Sequence, residues 1–216
     1  MSPKLGYDGV RPIRYTRGGH DVTETMTRDR PLRADAERTV RTILEVAERV
    51  LGEDPTASLA QIAAAAGVAR TTLHRRFASR EALIDAMAVH AFRQVEEAID
   101  VGRPETAPPL VALHQITANV IQVKSGWRYT VGQPQLRAPE AAAAHERIFA
   151  KGHLLLDRAQ QAGLLRPDAD LEWARRVYHA LIEQAIQVQA ETSADPDGLA
   201  AAVVDTLLNG LGPARS

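Results

Sequence analysis

Helix-forming residues dominate this chain of 216 residues. Long stretches are filled by alanine, leucine, glutamate, glutamine and arginine, and none of them alternates polar with β-branched residues as a half-buried strand does. Aromatic residues make up only 4% of the chain, which is sparse for a fold built from strands. The sequence therefore predicts an all-α protein.

The composition excludes several classes of protein. The chain has no cysteine, which excludes a disulfide framework, a thiolate metal site and a cysteine nucleophile. No apolar run approaches the roughly 18 residues of a membrane span, and the N-terminus lacks the apolar core of a signal peptide, so we expect a cytoplasmic protein without a membrane partner. Because the formal net charge is −1, any affinity for nucleic acid has to come from a local patch.

The N-terminal residues 1–32 mix glycine, proline and arginine without a helical period. We interpret them as a flexible basic arm. Such an arm is either a solvated terminus or a segment that follows a nucleic-acid backbone or minor groove.

The rest of the chain is predicted to be helical throughout. Residues 33–102 carry four predicted helices, near 35–51, 59–66 and 70–77 and from a cap at Ser79 through Val95. Residues 103–216 carry four more, near 110–124, 139–162, 171–190 and 199–211, with 126–134 as the least periodic stretch between them.

Two short helices on either side of Gly67 fit a helix-turn-helix, in which the second helix enters the DNA major groove. Ser58 and Gln61 form a capping-box pattern at the start of the first helix. Ala63 lies one turn before Gly67, and these small residues let the two helices cross closely. Apolar residues surround the crossing: Ile62, Val68, Leu73 and Phe77.

The second short helix has one apolar and one polar side. Leu73 and Phe77 fall together around the helix, and Thr71 and Arg75 fall opposite them. The segment 70–80 holds four arginines and a histidine but no acidic residue. Arginine can bond O6 and N7 of guanine, and threonine can offer a hydroxyl or a methyl group to a base edge. The pattern favours a DNA-reading face over a solvated basic face on an ordinary helical hairpin.

The stretch 61–83, QIAAAAGVARTTLHRRFASREAL, closely resembles the DNA-binding signature of the tetracycline-repressor (TetR) family of transcriptional regulators. The resemblance covers about residues 33–88. It implies an N-terminal DNA-binding domain at 33–102, an effector-binding and dimerisation domain at 103–216, and a regulator that is more often a repressor than an activator. The candidate DNA contacts are Ser58, Arg70, Thr71, Thr72, His74, Arg75 and Arg80.

The motif departs from the family pattern at three positions. Ala69 stands where the family commonly has a capping serine, and the loss of that cap should cost about 1 kcal/mol of helix stability. His74 stands where tyrosine is common, and we hypothesise that this imidazole makes operator affinity depend on pH. Arg80 stands where lysine is common and keeps the positive charge, so the phosphate contact implied by the resemblance is retained.

One helix-turn-helix reads too few base pairs to find an operator, so we expect a homodimer on double-stranded DNA. The last two helices carry apolar stripes that could face a second subunit or the chain's own core, and the resemblance implies an intermolecular four-helix bundle. The candidate interface residues are Leu181, Ala185, Val188, Val203 and Leu207.

A small-molecule effector is implied by the resemblance rather than by the pattern. Apolar helices with a few polar and aromatic groups are what a ligand cavity needs. The candidate effector contacts are Gln115, Asn119, Trp127, Tyr129, His153 and Tyr178, and Trp173, His179 and Gln184 are further groups of the same kind.

An enzyme has little support in the sequence. His145 and Glu146 lack the second histidine of a zinc-protease helix, and there is no glycine-rich phosphate loop and no nucleophile elbow. His179 and Glu183 could touch a metal, but two ligands do not distinguish a site from an exposed polar pair. We expect no enzymatic activity and no cofactor. The alternative to a regulator is a helical adaptor or small-molecule-binding protein that has lost DNA recognition.

Overall fold

The computed structural model describes the backbone of residues 22–132 and 138–211 and the side chains of 35–132 and 138–210. Within these ranges the backbone forms α-helices and no strand, which confirms the predicted all-α class. A search of the described helices finds none long and apolar enough to span a membrane.

The described part of the chain forms nine helices. The N-terminal ones are α1 Val22–Glu53, α2 Leu59–Ala65, α3 Arg70–Arg76 and α4 Arg80–Val101. The others are α5 Pro109–Ser125, α6 Arg128–Val131, α7 Pro139–Gln161, α8 Leu171–Thr192 and α9 Pro196–Leu211. The chain divides between Thr39 and Val40 into two compact units, and the sites described below lie in the second.

Helix α1 begins at Val22, well before the predicted start at residue 35. The helix continues through Pro31, whose fixed φ is compatible with a helix although proline has no amide to donate in the helix interior. The predicted arm at 1–32 therefore lies partly in α1, and its residues 1–21 lie outside the described residues.

Helix α6 lies in the stretch that showed the least helical period. It spans only four residues, which is too short for a repeat of 3.6 to be visible in the sequence. Its amides Tyr129 and Thr130 are tied down by the carboxylate of Glu48 in α1, with N to O distances of 2.6 and 3.1 Å.

Helix α4 connects two hydrophobic cores. Its first half supplies Leu83 and Met87 to a core built from α1, α2 and α3. Its second half supplies Val95 and Ile99 to a core shared with α5, α7, α8 and α9. At the end of α4, a Cβ on Gly102 would lie 2.3 Å from Cγ1 of Ile116, so only glycine permits this close approach of α4 and α5.

Candidate functional site

Helix α2 begins with the predicted capping box. The hydroxyl of Ser58 accepts a hydrogen bond from the amide of Gln61 at 3.3 Å, and the amide of Ser58 donates to Oε1 of Gln61 at 2.8 Å. Two helix-end amides are satisfied by this pair, so the short helix has a defined start.

The turn between α2 and α3 depends on Gly67. Its φ of +65° lies in the left-handed region, which favours glycine. The amide of Val68 donates to the carbonyl of Ala63 at 3.0 Å and closes the end of α2. This tight turn sets the crossing of the two short helices.

Helix α3 presents the two sides that its sequence predicts. Leu73 is fully buried and Phe77, just after the helix, is buried with it in the core below. Thr71 and Arg75 are exposed on the opposite side, together with Arg70 and His74, and Thr72 is half-buried. Nε of Arg70 donates to Nε2 of His74 at 3.4 Å. The helix is therefore held from behind and offers a cationic, hydrogen-bonding face to solvent.

The start of α3 has no side-chain cap. Ala69 occupies the N-cap position with extended backbone angles, φ −63° and ψ 142°, and no side chain accepts a bond from the first amides of the helix. Those amides, with no acidic residue in the first turn, leave a positive helix end next to Arg70.

Arg80, at the start of α4, holds the loop before α2. Its guanidinium donates to the carbonyl of Pro55 at 2.5 Å and to that of Ala57 at 3.4 Å. Ser79 caps the same helix by accepting from the amide of Ala82 at 3.1 Å. A guanidinium has five N–H donors, so these contacts position Arg80 and leave donors for a phosphate.

A cavity of about 260 Å³ lies among α4, α5, α6, α7 and α8. Most of its wall is apolar, from Val95, Ile99, Ile116, Val120, Ile148, Leu155 and Ile182. Its polar side chains are Lys124, His145, Lys151, Arg175, Tyr178, His179 and Glu183. This is the composition of a small-molecule site: apolar walls with a few polar groups that orient the ligand.

The cations of this wall are paired with carboxylates. Lys124 is buried and its ammonium bonds the carboxylate of Glu183. Arg175 makes a two-point contact with Glu172, at 2.7 and 3.0 Å, and its guanidinium lies 4.3 Å from the ring centre of Phe149.

The histidines of the wall are less basic than usual. Burial lowers the pKa of His145, and the nearby Lys124 and Arg175 lower it further against the opposing effect of Glu146. Partial burial and Lys124 also lower the pKa of His179, although Glu183 opposes the shift from 3.4 Å. Both imidazoles are therefore neutral near pH 7.

Tyr178 is enclosed at the cavity wall. The hydroxyl of Thr117 donates to the carbonyl of Leu113, so the phenol of Tyr178 donates to Thr117 across 2.6 Å. Burial raises the pKa of Tyr178 to about 12. The phenol stays protonated and acts as a hydrogen-bonding group of the wall.

Of the six predicted effector contacts, the structure brings only Tyr178 to the cavity. Gln115 and His153 are exposed, Asn119 donates to the carbonyl of Ala98, and Trp127 packs in the N-terminal core and donates to Gln94. Tyr129 packs against that core and donates its amide to Glu48.

The cations and most apolar residues of the cavity were missed by sequence reasoning. Periodicity cannot tell which side of a largely apolar helix faces a cavity, and lysine and arginine are usually surface residues, so none was predicted in a cavity wall. Among the further groups, His179 lines the cavity, whereas Trp173 and Gln184 are exposed. No group of three metal-ligating side chains occurs among the residues with described side chains.

The predicted dimer residues divide into two sets. Ala185, Val203 and Leu207 are buried in the chain's own core, because α8 and α9 turn these sides towards α5. Leu181 and Val188 are only half-buried. The outer side of α9 is exposed and carries Ala201, Ala202, Asp205 and Thr206.

Comparisons with known proteins identify relatives that match most of the chain. Residues 43–87 match the family described as bacterial regulatory proteins, tetR family. The chain is 33% identical over 176 residues to the HTH-type transcriptional repressor LfrR of Mycolicibacterium smegmatis, a match that covers 81% of this chain and 89% of that protein.

Solved structures share the fold. The crystal structure of LfrR from Mycobacterium smegmatis in complex with proflavine has a TM-score of 0.66 and 29% identity, covering 83% of this chain and 99% of that one. The crystal structure of the regulator FadR from Bacillus subtilis in complex with stearoyl-CoA has a TM-score of 0.63 and 20% identity, covering 79% and 98%.

Proposed function

The chain belongs to the tetracycline-repressor family of DNA-binding transcriptional regulators, and from that premise we propose that it is a repressor whose homodimer binds an operator and leaves it when a small molecule fills the cavity. In this proposal residues 33–102 read DNA, and 103–216 bind the effector and the second subunit. The protein acts by binding rather than by catalysis, in the cytoplasm, where its DNA partner lies.

One observation carries the DNA-binding part: α3 buries Leu73 and exposes Thr71 and Arg75. In a helix-turn-helix this outward side enters the major groove. Arg75 then contacts a base edge and Thr71 a base or phosphate. Arg70, Thr72 and His74 flank these two residues. Ser58 and Arg80 approach the phosphate backbone of the DNA from the starts of α2 and α4.

The dimer is supported by the exposed side of the last two helices. Ala201, Ala202 and Thr206 are small and exposed, so another helix can approach α9 closely. We propose that this side of α9, with Leu181 and Val188 of α8, packs against its copy. This choice replaces Ala185, Val203 and Leu207, which the chain's own core already covers.

Release of DNA is supported by the two cores that α4 joins. Phe92, Val95 and Ile99 of α4 line the cavity, and Leu83 and Met87 hold the other end of the helix against the DNA-reading core. A ligand that prefers one position of α4 shifts the population of dimers whose two α3 helices fit the operator. A ligand that binds both positions equally has no effect.

Selection of genomic DNA fragments by the purified protein tests the proposal. We expect enrichment of a site with approximate two-fold symmetry, and an affinity that falls steeply with salt concentration. A screen for compounds that release the enriched fragment then tests the effector. Binding without sequence preference would favour the helical adaptor instead.

A further inference from the structure

The wall of the cavity has more positive than negative charge. Three cations line it, Lys124, Lys151 and Arg175, against a single carboxylate, that of Glu183. The other carboxylates that pair with these cations, those of Glu96, Asp100 and Glu172, are not part of the lining. A ligand inside the cavity is therefore closer to the cations than to most of their partners.

Most of the polar groups are linked by contacts: Lys124 bonds Glu183, which lies 3.4 Å from His179, and the ring of Phe149 contacts both His145 and the guanidinium of Arg175. Lys151 instead bonds Glu96 and Asp100 of α4. The remaining wall is mostly aliphatic, from residues such as Val95, Ile99 and Leu155. A volume of about 260 Å³ lies just below the roughly 300–1,000 Å³ usual for ligand sites, so the ligand is small.

We infer that this cavity binds a small amphipathic carboxylate, with its anionic head beside Lys124, Arg175 and the two histidines and its apolar part among the aliphatic side chains. The inference rests on the proposed function, in which this cavity is the effector site.

The head group has a route to its cation. Lys124 is 8% exposed and bonds Glu183, whose side chain is 43% exposed. Glu183 can therefore turn towards solvent as it yields Lys124 to a carboxylate that brings its own apolar part into the cavity. The exchange keeps the buried ammonium paired, which a buried charge requires.

A cationic ligand fits this wall poorly, although aromatic rings are present. Phe92, His145 and Phe149 pack edge to face, with ring centres 5.4 and 4.1 Å apart along the series. The guanidinium of Arg175 already lies over the ring of Phe149. One face of the Phe149 ring is thus occupied by the protein's own cation, and Lys124 and Lys151 would repel another.

The two histidines should couple ligand binding to the uptake of protons. They face Lys124, Arg175, Glu146, Glu183 and each other, and they are neutral before the ligand arrives. A carboxylate beside them favours their charged form, so its binding should draw protons from the buffer near neutral pH.

Calorimetric titration of the full-length protein with three probes of equal chain length tests the inference. The probes are octanoate, octanol and octyltrimethylammonium, each below its micellar range and up to about 1 mM. We expect octanoate to bind at least about tenfold more tightly than octanol, the ammonium probe not to bind, and the octanoate heat to depend on the ionisation enthalpy of the buffer. Equal affinity for octanoate and octanol, tighter binding of the ammonium probe, or no binding of any probe would overturn the inference.

A pair of neighbouring arginines supplies the matched variants. Arg175 lines the cavity, whereas Arg176 bonds the same carboxylate of Glu172, is 66% exposed in its side chain and is not part of the lining. Arg175→Gln should weaken octanoate about tenfold and leave octanol unchanged, and Arg176→Gln should change neither. Octanoate affinity that is the same in both variants would count against the site, and the unchanged octanol affinity shows that the cavity still forms.

The titration uses no DNA, so it can fail separately from the proposed function. Octanoate that binds without releasing the operator supports the ligand class and contradicts the effector step. A cationic compound that occupies the cavity and releases the operator contradicts the ligand class and supports the effector step.

Discussion

The carboxylate of Glu48 accepts two hydrogen bonds from Thr130, one from its amide at 3.1 Å and one from its hydroxyl at 2.5 Å. Both residues are buried, and burial raises the pKa of Glu48 in spite of these bonds. The next residue, Val131, lines the cavity. Glu48 therefore ties α1, which carries the DNA-reading core, to the short helix at the edge of the cavity.

Glu48→Gln should destabilise the protein by about 1 kcal/mol. The amide group of glutamine places a donor where one carboxylate oxygen now accepts, which leaves the backbone N–H of either Tyr129 or Thr130 without a partner. Removal of a buried charge offsets part of this loss. Urea unfolding at a fixed protein concentration measures the change, with Glu45→Gln as the control because Glu45 is exposed on the same helix. Equal stability of the two variants would contradict the account of Glu48.

Ala69→Ser should stabilise the protein by about 1 kcal/mol. The extended backbone at residue 69 is already that of an N-cap, so a serine hydroxyl there can accept a bond from the first turn of α3. Ala78→Ser is the control, since Ala78 is exposed but caps no helix. If both serines had the same effect in urea unfolding, the first turn of α3 would not be limited by its missing cap.

The stability that Glu96 contributes to the folded protein should be lost in acid. A hydrogen bond from Arg147 is the main cause that lowers the pKa of Glu96 to about 2, and Lys151 contributes. The folded protein therefore holds this carboxylate ionised more strongly than the unfolded chain does. Its contribution is complete above the ordinary pKa of 4.5 and is lost as the pH falls towards 2.

Comparison of Glu96→Gln with wild type measures that contribution. We expect the variant to be less stable by about 1 kcal/mol at neutral pH, a modest value because Arg147 is largely exposed. The difference should shrink as the pH is lowered through 4. Glu97→Gln, an exposed neighbour on α4, should show no such convergence. If the difference in stability between Glu96→Gln and wild type did not vary with pH, the lost stability would come from packing rather than from the charge of Glu96.

His145 should make the free energy of unfolding depend on pH at higher pH values than Glu96 does. Because burial lowers the pKa of His145, the unfolded chain takes up its proton first as the pH falls below 6.5. The free energy of unfolding therefore decreases with falling pH until the lowered pKa of the folded state is passed. His145→Asn should flatten the curve between about pH 7.5 and 5.5, whereas His153→Asn, exposed on the same helix, should leave it unchanged. A wild-type slope retained in the first variant would refute this assignment.

The local structure of the DNA-reading segment follows from its sequence because each part depends on neighbours in the chain. The capping box of Ser58, the turn at Gly67 and the buried side of α3 with Leu73 are all fixed within a few residues. Hydrophobic periodicity is a strong signal for such elements. Family membership was equally recognisable, since the motif spans the same segment.

The cavity could not be predicted in the same way, because its wall is assembled from five helices. Lys124 and Arg175 share the helix faces of buried apolar residues, Lys124 four residues after Val120 and Arg175 three residues before Tyr178, but only tertiary packing brings the two cations to one cavity. The dimer residues show the same limit. Val203 and Leu207 form an apolar stripe, but a stripe does not tell whether it faces the chain's own core or a second subunit.

The most direct test of the DNA-reading account is the affinity of Arg75→Ala for the operator found by genomic selection. Arg75 is exposed on the outward side of α3, so its loss should cost about 1–3 kcal/mol of binding and relax the preference at one base position in each half-site. Arg166→Ala, which removes an exposed arginine between α7 and α8, should bind as wild type does. If Arg75→Ala keeps both the wild-type affinity and the wild-type base preference, α3 does not read the operator through Arg75.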